Sequence, residues 1–381
     1  MKKLFSLLIF LILGVNTSYA SVKISLITCG PTDEYVFYLY GHTALRVQEN
    51  GTDLVYNYGY FSPSQKNFIL NFMLGKPMYS LGVVPFEDFL IEYQLQGRSV
   101  VELELNLKEH EAVALAEKLE WNALPENRDY QYNFYFDNCA TRPRDLIEEA
   151  VGGIEYHTEG ALPTFREAIR DKSHTATWYT IGADLCLGWK SDQRMTVRDA
   201  AFLPELLEQE MLKATRKDTG APMVINKTTW APQAIEIANP LEAWQLPHLL
   251  FVALLIIYYL LWRKGPQKAF TILRKGLYLL LGIGGVVIWF LALISEHPHT
   301  FPNANMLFLH PFWLILTLPG KKRESKRIAK WLYFGNFVAI IVYLLMGQLQ
   351  ALPYAIPLWA LVMLMDQWLS WQKCRRKNVD E

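Results

Sequence analysis

The hydrophobic rhythm of the chain changes twice. Lys2 and Lys3 are followed by a mainly apolar run, Leu4–Val15. From about residue 21 to 240, short apolar stretches alternate with polar ones. Val22–Thr28 alternates as a short strand does. His42–Val47 and Leu54–Tyr58 flank Glu49-Asn50-Gly51-Thr52, the mark of a hairpin. Phe61–Leu74 is aromatic-rich with helical spacing. Val101, Leu103, Leu105 and Leu107 alternate strictly and predict a half-buried strand. Lys108–Leu124 has the two-faced pattern of a helix, and Tyr130–Phe136 is aromatic and extended. A helix is predicted over Cys139–Val151, where Gly152-Gly153 stop it. Residues 163–215 read as mostly helical, and Lys217–Pro240, rich in Pro, Thr and Asn, as a linker. Strands mixed with helices predict an α+β domain. Beyond 240, apolar stretches near 246–262, 276–294, 305–319, 331–349 and 353–371 predict an all-α transmembrane bundle of about five helices. The third is the weakest. Its cleanest run is Leu307–Leu318, and His310-Pro311 interrupt it, as in a short, tilted or re-entrant segment.

Charge sharpens this division. The 381 residues carry 37 basic and 37 acidic side chains, yet the balance is only an average. Residues 21–240 hold 20 basic and 31 acidic residues; residues 241–381 hold 15 and 6. All 15 basic residues lie in the 262–275 and 320–330 connections and the tail, so they fall on one side of a five-span bundle. That side is expected to be cytoplasmic. The alternate connections, 295–304 and 350–352, then lie outside with residues 21–240. Residues 1–20, with a basic start, a short apolar core and Ser18-Tyr19-Ala20 at the end, read as a secretory signal peptide, or else as an uncleaved anchor. The expected organisation is therefore a signal at 1–20, a periplasmic domain at 21–240 and a membrane domain at 241–381, multi-pass in the inner membrane. With 51% apolar and 14% aromatic residues, the composition excludes a disordered or nucleic-acid-coating chain. Four cysteines exclude a disulfide-built scaffold.

Candidate chemistry lies in the acidic half. There is no CxxC or HExxH, so neither a metal nor another cofactor is expected. Cys139 stands in Asp137-Asn138-Cys139-Ala140-Thr141-Arg142, where an extended segment gives way to a helix. A helix N-terminus lowers a thiol pKa, and a backbone N–H there can face an oxyanion. A buried structural cysteine has the same sequence signature. His42 opens a predicted strand after Gly41, and Asn57 lies on the returning strand. A histidine base needs an acceptor on its second ring nitrogen. His42, Asn57 and Cys139 thus form a candidate base–orienter–nucleophile set, with Tyr56 and Asp53 as rival orienters. His110, His157 and His174 lie in polar settings expected of solvated surface. Arg46 shares a strand face with His42 and can bind a lipid phosphate or form an ion pair. Arg98 precedes a strand, and Arg142 and Arg144 follow Cys139, where positive charge favours a thiolate or pairs with nearby acids. In the outer loop, Glu296, His297, His299, Asn303, Asn305 and His310 can meet a lipid headgroup or simply build a turn. Cys29 and Cys186 can pair in an oxidising compartment, or Cys29 can stay free.

The order of these elements, a histidine strand, a polar residue on the next strand and Asn-Cys opening a helix, resembles the circularly permuted NlpC/P60 class of papain-like thiol enzymes. That class includes lecithin:retinol acyltransferase-like proteins, although those often use a second histidine where this chain has Asn57. More closely, Thr28-Cys29-Gly30-Pro31, Gly41-His42-Thr43-Ala44-Leu45-Arg46, Tyr56-Asn57-Tyr58-Gly59 and Asn138-Cys139-Ala140-Thr141-Arg142, followed by several spans, are similar to the Lnb family, lipoprotein N-acyltransferases of the Bacteroidota. The resemblance implies a papain-like periplasmic domain and acyl transfer through a Cys139 thioester. The implied donor is a phospholipid, and the acceptor is the amine of a diacylglyceryl-cysteine lipoprotein. Arg46, Arg98, Arg142, His297 and Asn305 are the expected substrate-binding residues. Other readings are a membrane-tethered peptidase or amidase acting on cell-wall peptides, and a binding module whose Cys and His belong to the core.

Overall fold

The computed structural model describes residues 21–377 apart from 63, 159, 236, 238–239 and 319–322. The expected signal peptide lies outside the described residues.

A seven-stranded antiparallel sheet forms the body of the first half, in the order β6-β4-β3-β2-β1-β5-β9. Its members are β1 (Lys23–Cys29), β2 (His42–Glu49), β3 (Thr52–Tyr60), β4 (Met78–Pro85), β5 (Val100–Leu105), β6 (Asp129–Gln131) and β9 (Val224–Ala231). A small ribbon pairs β7 (Ile154–Glu155) with β8 (Thr215–Arg216). The β2–β3 turn is the hairpin expected, with Asn50 and Gly51 both at positive φ (49° and 82°). Two central residues at positive φ match the right-handed strand twist.

Helices cover both sheet faces, which is why β1 is buried on both sides. On one face, Leu26, Leu45 and Leu103 meet Leu115 and Leu119 of helix Glu109–Ala123, Ile147 of helix Thr141–Val151, and Leu207 of helix Pro204–Lys213. On the other, Ile27, Ala44, Val55 and Val100 meet Phe86, Phe89 and Tyr93 of helix Phe86–Leu95. In chain order the helices of this half are α1 (Phe68–Met73), α2 (Phe86–Leu95), α3 (Glu109–Ala123), α4 (Thr141–Val151), α5 (Phe165–Ser173), α6 (Thr177–Cys186), α7 (Val197–Ala200) and α8 (Pro204–Lys213).

Three sequence expectations are corrected. The expected linker at 217–240 contains β9, which pairs along β5 from Leu105↔Val224 to Val100↔Ala231. Most of β9 is exposed because it is an edge strand, so its polar composition hid it. Of the helical stretch expected at 61–74, only α1 is helical. The aromatic segment 130–136 pairs only over β6, and its remainder is a turn closed by Asn133 and Asp137.

The second half is helical. α9 (Pro240–Lys264), α10 (Gln267–Leu293), α12 (Arg323–Met346) and α13 (Ile356–Lys377) are long, and α11 (Asn305–Phe308) is a single turn. By length and composition, Pro247–Lys264, Gln267–Leu293 and Lys326–Met346 can each cross a membrane. α13 is long enough but carries Asp366, whose carboxylate accepts from Tyr258 Oη (2.8 Å) and Tyr278 Oη. The weak third stretch is broken. α11 stops at Leu309-His310, and Pro311–Thr317 continues as a 3-10 helix. It lies so close to α10 that a Cβ at Gly285 would stand 2.4 Å from the His310 backbone, and one at Gly282 2.6 Å from the Leu314 side chain. Glycine on α10 is what admits this backbone.

The two halves are joined by more than the chain. Gly188 and Trp189 donate backbone hydrogen bonds to His299 O (2.7 Å) and Pro302 O (3.0 Å). Asn303 Nδ2 donates to Leu185 O and Cys186 O, and Gln350 Nε2 to Leu187 O. At a second point, Glu296 N donates to Leu74 O (2.9 Å), and Lys76 pairs with Glu296 at 2.7 Å.

Candidate active site

β1 ends, and β2 and β5 begin, at one end of the sheet, because Cys29 pairs with both His42 and Val100. Tyr60 of β3 and Met78 of β4 lie at the same end. Successive residues of a strand alternate faces, so His42, Ala44 and Arg46 share one face. The β2–β3 register pairs Leu45 with Tyr56 and Arg46 with Val55. Carried one and three residues on, it sets Ala44 opposite Asn57 and His42 opposite Gly59. Asn57 therefore lies diagonally across from His42 on the same face, while Tyr56 points to the other.

The ring and the carboxamide are hydrogen-bonded, His42 Nε2 to Asn57 Oδ1. An amide oxygen only accepts, so Nε2 carries the proton and Nδ1 keeps the lone pair. Asn57 Nδ2 donates in turn to Tyr60 Oη at 3.3 Å. Of the rival orienters, Asp53 is engaged by Arg46 and Tyr56 is buried on the opposite face. Tyr93 of α2 lies over the imidazole, with centroids 6.5 Å apart and planes within 14°.

Cys139 arrives from the other side, just ahead of α4. Asn138 braces the turn that leads into that helix. Its Oδ1 accepts from Ala140 N (2.8 Å) and Thr141 N (2.9 Å), while its Nδ2 donates to Phe134 O and Phe202 O. This buried residue fixes where Cys139 stands. Gly59, at φ 109°, adjoins both residues. A Cβ there would stand 3.7 Å from both Cys139 Cβ and His42 Cε1, at a φ that L side chains rarely adopt.

The electrostatics differ from the sequence expectation. Burial pushes the Cys139 thiol up to about 11, against the opposing pull of the Thr43 and Cys139 backbone N–H groups and of Arg98. Burial likewise pushes His42 down to about 4, despite the bond to Asn57. Desolvation outweighs the helix N-terminus, and at neutral pH both partners are uncharged. Cys29 is a buried free thiol on β1, also pushed up by burial. Cys186 is free as well, so the expected alternative pairing of the two is not formed.

The expected binding residues are spread more widely. Arg46 gives Nη1 to Glu102 (2.9 Å) and a bidentate pair to Asp53, and lies 3.4 Å over the Phe86 ring. It is four strand residues from His42, about 13 Å. Arg142 is bidentate to Asp137 and sits 3.7 Å over Tyr130. His297 Nε2 donates to Phe72 O at 2.6 Å. Asn305 Nδ2 donates to Asp184 O and Leu185 O. These last two side chains bind the halves of the molecule to each other. Arg98 is different. It is 1% exposed, donates from Nε to Gly30 O (2.7 Å), and lies between Tyr38 and Tyr93. Its Nη2 has no hydrogen-bond partner among the described residues. Sequence reasoning missed Tyr93, the bracing role of Asn138 and the fit at Gly59. Asn138 alone had a signal, since Asn side chains favour such turns. No group of three or more His, Cys, Asp or Glu able to hold a metal occurs among the described residues.

Taken together, these features describe a chain whose sheet domain brings Cys139 and His42 to Gly59 at one end of the sheet and whose second half is built of long apolar helices. Two family models match, the Lnb N-terminal periplasmic domain over residues 15–171 and the Lnb transmembrane domain over residues 233–377. The chain is an Lnb-type protein, with a periplasmic domain followed by a membrane domain. That family suggests a lipoprotein-modifying membrane protein. No curated protein and no solved structure matches the chain.

Proposed function

We propose that this protein moves an acyl chain from a phospholipid to the N-terminal amine of diacylglyceryl-cysteine lipoproteins through a thioester on Cys139. One observation carries the reading. In an Lnb-type chain, Cys139 and His42 both adjoin Gly59, the imidazole is oriented by Asn57, and the domain is hydrogen-bonded to the loop after a membrane helix. In this reading the domain is papain-like in its permuted form. Residues 1–20 are the export signal, 21–240 the periplasmic thiol domain and 241–381 the inner-membrane domain.

The reaction runs in two halves. His42 Nδ1 takes the Sγ proton as sulfur attacks the ester carbonyl. The carbonyl C–O bond breaks, the proton passes to the leaving oxygen, and a lysophospholipid departs. The lipoprotein α-amine then attacks the thioester. Its proton returns through His42 to Sγ, an amide forms, and the thiol is restored. Because both partners are neutral at rest, the proton transfer accompanies the attack instead of preceding it. Arg98, beside the pair, favours the developing sulfur charge. Neither half needs a metal or cofactor to balance.

Mass spectrometry tests the reading. Purified enzyme given phospholipid is expected to gain one acyl mass on the Cys139 peptide, and Cys139→Ala none. Cells whose only enzyme of this kind is Cys139→Ala are expected to carry diacylated lipoprotein N-termini. Triacylated termini in those cells sink the proposal. Cleavage of cell-wall peptides without acyl-Cys139 supports a peptidase instead.

A further inference from the structure

α1 reads Phe-Ile-Leu-Asn-Phe-Met, yet none of its residues is buried. Ile69 is 75% exposed and Leu70 52%, and Phe72 and Met73 are exposed beside them. Apolar side chains gathered on one short helix need an apolar medium, and the protein does not supply it.

The position of α1 indicates which medium does. The helix connects β3 to β4 at the sheet end that carries His42 and Cys29. It is tied to the membrane domain at the second joint, through Phe72 O to His297 Nε2 and Leu74 O to Glu296 N. Residue 296 follows the end of α10 at Leu293 by three positions, and Leu293 and Ile294 are themselves exposed. The apolar surface of α1 thus continues the outer end of a membrane-crossing helix. Lys66 is exposed just before α1, and Lys76 lies just past it. Basic residues flanking an apolar face suit the phosphate level of a bilayer.

We propose that α1 lies in the outer leaflet of the bilayer crossed by the membrane domain, with Ile69, Leu70, Phe72 and Met73 among the lipid chains. This goes beyond the acyl-transfer reading and does not depend on it. It does give that reading an approach. Phe68 stacks on Phe61 at 5.6 Å, and Phe61 meets Tyr79 at 4.9 Å. Tyr79 stands within electrostatic reach of Cys139. An aromatic path therefore joins the proposed lipid-facing helix to the neighbourhood of the thiol.

The full chain in nanodiscs of phosphatidylethanolamine and phosphatidylglycerol tests this without using activity. Photoreactive benzoylphenylalanine replaces Leu70 in one sample. In the other it replaces His110, exposed near the opposite end of the sheet, about 20 Å away along the strands. On illumination, phospholipid adducts are expected on the residue-70 peptide at tenfold or more the yield at residue 110. Equal yields at the two positions overturn the proposal. So does cross-linking of residue 70 to protein alone, which marks a second copy or another protein as the occupant. Absence of acyl transfer by the unmodified chain, with lipid adducts on residue 70 intact, would leave the membrane contact standing and count against the acyl-transfer reading instead.

Discussion

His42 and Cys139 are neutral together at neutral pH, and that governs what single residues are expected to do. With the thiol pushed up to about 11, its thiolate fraction rises tenfold per pH unit throughout pH 6–9. Alkylation of the Cys139 peptide by iodoacetamide should follow that slope without a plateau. A plateau near pH 5–7 would mean a resting ion pair. His42 gives a second signature. Its folded pKa of about 4 lies below the ordinary 6.5, so its contribution to stability is present above pH 6.5 and is lost as pH falls toward 4. His42→Gln should flatten the fall in Tm across that window. In the proposed reaction, replacing Asn57 with Ala frees the ring tautomer and should lower acyl transfer at least about tenfold, beyond any loss of stability from unpairing the buried imidazole N–H. The placing of His42 and Asn57 on one face was legible because strand alternation and the hairpin fix which side chains share a face. The ionisation of His42 and Cys139 was not, because burial arises from α2 and the far strands, which no local pattern reports.

At the scale of elements, close backbone contact decides which changes matter. Gly285→Leu forces a side chain against the His310 backbone and should lower Tm in detergent, by about 1–3 kcal/mol of stability. Gly276→Ala on the same helix meets nothing within 4 Å and should be neutral or slightly stabilising. Equal effects at the two sites would remove the argument for close packing of the broken third segment. That break was visible in His310-Pro311, whereas its tight apposition to α10 needed coordinates. β1, the β2–β3 hairpin, β5, α3 and α4 were readable because each carries its own period. β4 and α2 were not read at all, since 76–99 shows neither period cleanly. β9 was hidden by the polarity that protects an edge.

For the whole molecule, the joint between the halves is the quantity to measure. Gln350 Nε2 donates to Leu187 O at 3.3 Å and to Asn303 Oδ1 at 3.2 Å, and its Oε1 accepts from Ala304 N at 2.8 Å. Gln350→Ala leaves the buried Ala304 N without its acceptor, at a cost of about 1–3 kcal/mol, while Leu187 O and Asn303 Oδ1 keep their bonds from Arg166 Nη2 and Asn305 N. Amide exchange at Gly188 and Trp189 should rise about tenfold or more, while exchange in β1 and β2 stays as it was. Uniform acceleration would mean global destabilisation instead of a loosened joint. Charge and hydropathy separated a periplasmic half from a membrane half. They said nothing of the two tethers, because His297, Asn303 and Asn305 look like ordinary loop residues in sequence.

The protonated resting thiol has a consequence for survival in an oxidising compartment. Peroxides and disulfides react with thiolates. At pH 7 a thiol with a pKa of about 11 is ionised to only about one part in ten thousand. By this measure Cys139 should react slowly with peroxides and disulfides at pH 7, although its side chain is partly accessible. In the proposed reaction that reactivity is released when His42 takes the proton as sulfur attacks the ester.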